Sequence, residues 1–305
     1  MKVLIIGAGA IGSLVGGMLS EICDVTMVGR SEHAQAMIKG GLVLLDGGGK
    51  RELKPHVLTQ VPEGDFDMIL LTTKTYDTLG ALKGARHVIK HDALIVLLQN
   101  GLGMEDKAVK MLTQMGVEVN LARGVISHSA LIESPGIVRR TGSGDLLFGM
   151  HEGKGKDGLN TLAKIFAKAG LPADAVDDIS RPVWLKAIAN SCVNPLCALV
   201  QKPNGALAQD PDLRAAAKVI CMECESVAMH YTSMEGMDVW GKVLELSQKT
   251  AININSMLLD LRAHKRTEID ALNGEMIARA KLLGIPVPSN QVIYSLVKSM
   301  EPKQG

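Results

Sequence analysis

Residues 2–12 read KVLIIGAGAIG, and the fold follows from that stretch. An apolar run over residues 3–6 enters Gly7, Gly9 and Gly12, spaced Gly-x-Gly-x-x-Gly. Residues 11–19 then carry apolar side chains at helical spacing. Strand, glycine turn and helix in that order form the dinucleotide-binding fingerprint, in which each glycine has its own task. Gly7 permits the tight turn, Gly9 lets the backbone approach a pyrophosphate, and Gly12 lets the helix lie close to the strand. The diphosphate sits on unpaired N–H groups at the start of the helix, where the dipole favours an anion. Gly7, Ala8, Gly9, Ala10, Ile11 and Gly12 are the residues assigned to this cradle. The alternative is a glycine-rich turn in an α/β domain that holds no nucleotide.

With 305 residues the chain is long enough for about two domains of ordinary size. Hydrophobic residues at 47% and charged residues at 21% give the balance of a folded rather than a disordered protein. A formal net charge of +1 supplies no overall field to recruit nucleic acid or an anionic membrane, so neither is expected as a partner. Residues 3–19 are nearly uncharged, as an export signal is, but their glycines suit a strand and helix instead. No later run is apolar enough to span a bilayer, and a cytoplasmic location is expected. The methionines read as adaptable core filler. Cys23, Cys192, Cys197, Cys221 and Cys224 are scattered and odd in number, which suits reduced thiols. Cys221 and Cys224 make a single C-x-x-C with no second ligand pair, so both read as core thiols and no metal is expected.

Residues 24–28 read as a second strand. Past it, a Rossmann domain that prefers NAD carries Asp or Glu for the ribose 2′-hydroxyl. Here stand Gly29, Arg30 and Ser31. No carboxylate repels a 2′-phosphate, and the Arg30 guanidinium can pair with one. NADP is the predicted cofactor; the alternative leaves Arg30 as a solvated loop residue. Residues 42–45 and 55–59 flank Asp46-Gly47-Gly48-Gly49, a hairpin-like turn. Residues 67–72 read as a buried strand ending in Thr72, Thr73 and Lys74, which sets Lys74 at the ligand crevice of a parallel sheet. Residues 93–98 repeat that pattern before Gln99, Asn100 and Gly101. Asn100 either faces the same crevice or simply makes an Asn-Gly turn. Residues 124–132, 137–140 and 145–149 read as short strands, and 159–169 as a helix stopped by Gly170. Residues 174–180 are acidic and strandless, and the domain boundary is placed at 176/177.

From Pro182 onward strand signals vanish. Residues 184–200, 211–230, 239–263 and 268–283 carry helical periodicity, the last ending at Gly284. The predicted architecture is α/β: a Rossmann-type domain over residues 1–176, then an all-α domain over residues 177–305. Lys186, Asn190 and Asn194 fall at i, i+4 and i+8, a polar stripe on an otherwise apolar helix. Such a stripe faces water, a partner or a ligand, because each buried unpaired polar group costs about 1–3 kcal/mol. Pro195 removes a backbone hydrogen bond beside it. Asn253, Ser256 and Asp260 share a helical face at i, i+3 and i+7. Thr267 and Asp270 read as a capping box with Glu268 in the first turn, where a carboxylate also simply complements the helix dipole.

Together these residues resemble the ketopantoate reductase (2-dehydropantoate 2-reductase) family over nearly the whole chain. The likeness is carried by GAGAIG, Lys74, Gln99-Asn100-Gly101 and Trp184-x-Lys186-x-x-x-Asn190-x-x-x-Asn194-Pro195. Pro203-Asn204-Gly205, Asn253-x-x-Ser256-Met257, Thr267-Glu268-Ile269-Asp270 and Asn273-Gly274 add to it. The resemblance implies NADPH-dependent reduction of 2-dehydropantoate to pantoate by hydride transfer to the C2 ketone, a step in pantothenate and coenzyme A biosynthesis. It implies Lys186 as the general acid and Glu268 as a carboxylate that either positions Lys186 or binds the substrate. Asn100, Asn190, Asn194, Asn253 and Ser256 are implied as substrate-pocket groups, with Arg30, Lys74 and Asn100 as cofactor contacts. Two departures stand out. His264-Lys265-Arg266 occupies a place where relatives often have Gly-Arg, and Asn255 stands before Ser256 where Ser is common, which bears on pocket contacts. The expected partner is a small 2-keto acid, and the expected state a monomer or homodimer. A reductase of a different keto acid or an imine, and a non-catalytic NADP(H)-sensing module, are the alternatives.

Overall fold

Residues 1–303 are described by the structure, a computed structural model. Their contacts divide the chain into two units: Met1–Gln99 with Met104–Ile179, and Asn100–Gly103 with Ser180 onward.

The first unit holds the strands β1 (Lys2–Ile6), β2 (Asp24–Val28), β3 (Leu42–Asp46), β4 (Gly49–Leu53), β5 (His56–Leu58) and β6 (Met68–Leu71). It continues with β7 (Leu94–Leu97), β8 (Asn120–Ile126), β9 (Ser129–Ser134), β10 (Ile137–Gly142), β11 (Leu146–Glu152) and β12 (Ala173–Ala175). Its helices are α1 (Ala10–Leu19), α2 (Glu32–Gly40), α3 (Thr78–Gly84), α4 (Met104–Gln114) and α5 (Lys156–Lys168).

The larger sheet runs β12-β11-β8-β7-β6-β1-β2-β5. From β5 through β8 each neighbouring pair is parallel, while β11 lies antiparallel to β8. Chain order reverses at β1, with β2 on one side and β6 on the other. That is the topological switch of a doubly wound sheet, and ligands bind at its carboxyl edge. The two-residue period of β1 sends Val3 and Ile5 to one face and Leu4 and Ile6 to the other. Helices α1 and α5 and the second sheet cover the first face; α3 and α4 cover the other.

The second sheet runs β4-β3-β10-β9. The turn at Gly47 and Gly48 joins β3 to β4, not to residues 55–59, which instead pair with β2 as β5. Strand β4 reads GKREL with only Leu53 buried, so it carries no alternating apolar signal. The stretch expected as one strand over 124–132 is broken into β8 and β9 around Ser127 and His128. The segment expected to be strandless supplies β12, a three-residue Ala-Asp-Ala edge too short to show a period.

The second unit is helical: α6 (Ser180–Leu199), α7 (Ala206–Gln209), α8 (Pro211–Ala228), α9 (Val239–Lys249), α10 (Ser256–Arg262), α11 (Asn273–Leu283) and α12 (Pro288–Met300). Asp210 caps α8 by accepting from Asp212 N and Leu213 N, with Pro211 in the first turn. The continuous helix expected over 239–263 is broken between α9 and α10, because Asn255 takes the cap position and accepts from Leu258 N at 3.0 Å. The helix expected from residue 268 starts as a 3₁₀ turn, Ile269–Ala271, before α11. Gly284 ends α11 in the left-handed conformation, φ +67°. Among the described residues no helix is long and apolar enough to cross a membrane.

Candidate functional site

At the carboxyl end of β1 the glycine turn is shaped by contacts that a Cβ would break. Gly7 has φ +117°, a conformation suited to glycine, and a Cβ there would come within 2.5 Å of Thr73 N. A Cβ on Gly12 would collide with the Gly7 carbonyl, which is itself held by Thr72 Oγ1 at 2.7 Å. Gly9 differs: no heavy atom lies within 4 Å of where its Cβ would be. Gly9 is also the N-cap of α1 and offers no side-chain cap. A bare backbone and uncapped N–H groups together fit a dinucleotide diphosphate. Ala8 packs against Gly29, so the exposed Arg30 emerges beside this turn. Lys74 is half-buried and directly precedes a 3₁₀ turn, Thr75–Asp77.

Behind these loops lies a buried polar chain that the sequence did not disclose. Thr73 Oγ1 lies 3.2 Å from Thr78 Oγ1, and Gln99 Nε2 donates to that same hydroxyl at 3.0 Å. Arg123 Nη2 donates to the Gln99 carbonyl at 2.6 Å, and Arg123 Nε pairs with Glu105 at 3.1 Å. The Lys74 loop and the chain entering Asn100 are thereby tied to one buried ion pair. The available signal was a lone Arg inside the apolar run of β8.

In the second unit, the stripe lies on one continuous helix. Lys186 and Asn190 are half-buried and Asn194 is buried. Pro195 sits inside α6 and has no N–H to give to the Ser191 carbonyl four residues back. Asn273 Nδ2 takes that place, donating to Ser191 O at 3.1 Å and to Asn290 Oδ1 at 3.0 Å. The start of α11, just past Glu268, is thus fastened to the middle of α6.

Asn253 does not share a helical face with Ser256. It lies in the loop before α10, where its carbonyl accepts from Asn204 N at 3.0 Å, and Ser256 opens the helix. Asn255 is buried, donates to Asn204 Oδ1 at 3.1 Å and caps α10, which commits its side chain to the loop and the helix start. Asp270 closes no capping box. It accepts from Tyr294 at 2.8 Å, Arg266 at 2.9 Å and Lys298 at 3.3 Å. Burial alone raises a carboxyl's pKa, but these hydrogen bonds and the Lys298 charge hold Asp270 below its ordinary value. Glu268 is buried at 8% exposure. Asn100 begins the short strap Asn100–Gly103, and Leu102 N donates to Ala271 O at 2.9 Å, which brings the strap to the segment that carries Glu268.

Known proteins resemble this chain over nearly its full length. Residues 3–153 match the family described as ketopantoate reductase PanE/ApbA, and residues 178–301 match its C-terminal counterpart. The chain is 34% identical to 2-dehydropantoate 2-reductase of Pyrococcus horikoshii, over 100% of this chain and 99% of the relative. It is similar to the crystal structure of a PanE/ApbA family ketopantoate reductase from Ralstonia eutropha JMP134, with TM-score 0.84, 31% identity and 98% of each chain covered. It is also similar to D-mandelate dehydrogenase solved with NADH and anilino(oxo)acetate, with TM-score 0.89, 27% identity and 98% of each chain covered. The protein is therefore an oxidoreductase that belongs to the ketopantoate reductase PanE/ApbA family.

Proposed function

We propose that this chain reduces 2-dehydropantoate to pantoate with NADPH, the reaction that feeds pantothenate and coenzyme A synthesis. The observation that carries the reading is the Lys186/Asn190/Asn194 face of α6, braced through Ser191 and Asn273 to the segment holding Glu268. The full-length likeness to 2-dehydropantoate 2-reductases supports it.

Gly7 to Gly12 hold the diphosphate and Arg30 the 2′-phosphate, with Lys74 and Asn100 as further cofactor contacts. When bound, the reduced nicotinamide supplies the hydride. As negative charge grows on the C2 oxygen, the Lys186 ammonium stabilises it and gives it a proton. Asn100, Asn190, Asn194, Asn253 and Ser256 orient the keto acid through neutral hydrogen bonds, which add no further charge to desolvate. Glu268 holds the Lys186 ammonium or a substrate hydroxyl.

A second reading is favoured by the D-mandelate dehydrogenase neighbour: an aryl 2-keto acid reduced with NADH. Initial rates with a panel of 2-keto acids and both nicotinamides separate the two. Highest kcat/KM for 2-dehydropantoate with NADPH is the expected result; preference for an aryl keto acid with NADH overturns it.

A further inference from the structure

The turn that carries Glu268 is fastened from the C-terminal helix rather than by a cap of its own. Thr267 is fully buried, and both its N–H and its hydroxyl donate to one oxygen, Glu301 Oε1, at 2.9 and 2.6 Å. The same hydroxyl accepts from Ile269 N at 3.2 Å. One hydroxyl thus fixes the residues on both sides of Glu268. The Glu301 side chain is only 6% exposed, and its other oxygen accepts from Lys298 at 2.6 Å. Tyr294 and Lys298, one turn apart on α12, both reach Asp270. Residue 270 is therefore bolted to α12 and residue 267 to Glu301, which follows that helix, with Glu268 held between them. Docking α12 for stability alone would be met by apolar contacts such as those of buried Val297. Only the Glu301 carboxylate of this network is buried; the Lys298 and Asp270 side chains are 32% and 34% exposed, and ion pairs at that exposure add little stability.

We propose that Glu301, with Tyr294 and Lys298, is a positioning group for Glu268, so that the C-terminal helix sets where the Glu268 carboxylate meets the site. This rests on the reading of Glu268 as a site residue. The test compares Glu301→Ala with Glu301→Gln, whose Oε1 still accepts both Thr267 bonds. Glu301→Ala is expected to lower kcat about 10- to 100-fold, the scale of a misplacement near 1 Å, with KM for NADPH unchanged. Glu301→Gln is expected to recover most of that loss. A purely structural bolt lowers Tm in both variants and leaves kcat per folded molecule at the wild-type level, which overturns the proposal. Should Glu301→Ala fail to fold, Tyr294→Phe removes one bond to Asp270 and keeps the ring, and an unchanged kcat there has the same force. Crystal structures give a readout that needs no turnover. A Glu268 carboxylate displaced by about 1 Å in Glu301→Ala and restored in Glu301→Gln supports positioning even if no keto acid is reduced; an unmoved carboxylate refutes it. A wild-type protein without reductase activity refutes only the proposed reaction.

Discussion

The side-chain amide of Asn273 hydrogen-bonds, at 3.1 Å, the Ser191 carbonyl that Pro195 leaves without its helical partner. A buried carbonyl stripped of a donor costs about 1–3 kcal/mol, so Asn273→Ala should destabilise the protein by about that amount in denaturant unfolding. Pro195→Ala supplies a backbone N–H to Ser191. In that background the cost of Asn273→Ala should shrink by about 1 kcal/mol. Equal costs in both backgrounds would show that Asn273 does not compensate for the proline.

His128 gives the fold a pH dependence. Its Nδ1 accepts from Gly144 N at 3.1 Å and lies 3.0 Å from Arg140 Nη2, so the neutral ring is the favoured form. Burial, and then the Arg140 charge, push its pKa down to about 4. The unfolded state takes up a proton first as pH falls below about 6.5, and stability drops until pH nears 4, at about 1.4 kcal/mol per unit. His128→Asn keeps an acceptor without a titrating group. Unfolding free energies at pH 7 and pH 4.5 should differ less in the variant than in the wild type; an identical difference would remove His128 from the acid response.

Arg30 decides the cofactor in this account. In Arg30→Glu the guanidinium proposed to meet the 2′-phosphate becomes a repelling carboxylate. The ratio of kcat/KM for NADPH over NADH should fall by about 10-fold or more, the worth of one charge-assisted pair. An unchanged ratio places the 2′-phosphate elsewhere.

His264 sits in the left-handed region at φ +50°, a conformation that favours glycine. A non-glycine residue there costs of order 1 kcal/mol. His264→Gly should therefore raise Tm by about 1 degree, the gain left after the entropy that glycine gives back to the unfolded chain. A lower Tm would mean that the histidine makes a contact worth more than the strain.

What could be read from the sequence were the parts with local rules. The glycine turn needs its three glycines in order, and an i, i+4, i+8 stripe is visible as soon as a helix is inferred. The missed parts depend on contacts far along the chain. Nothing near β4 announces that GKREL pairs with β3, because only Leu53 of its side chains is buried and no alternation shows. Residues 250–255 continue an apolar spacing through a break whose cause is Asn255 bonding back to Asn204. Asp270 resembles a capping residue until α12 arrives to claim it. Arg123 and Glu105 are far apart in sequence and meet only in the fold.

The most direct test is the pre-steady-state and steady-state reduction of 2-dehydropantoate by Lys186→Ala. If the Lys186 ammonium protonates the oxygen made by hydride transfer, kcat falls about 100-fold or more while the KM for NADPH holds. Turnover at the wild-type level would contradict the account, because it would remove Lys186 as the proton donor.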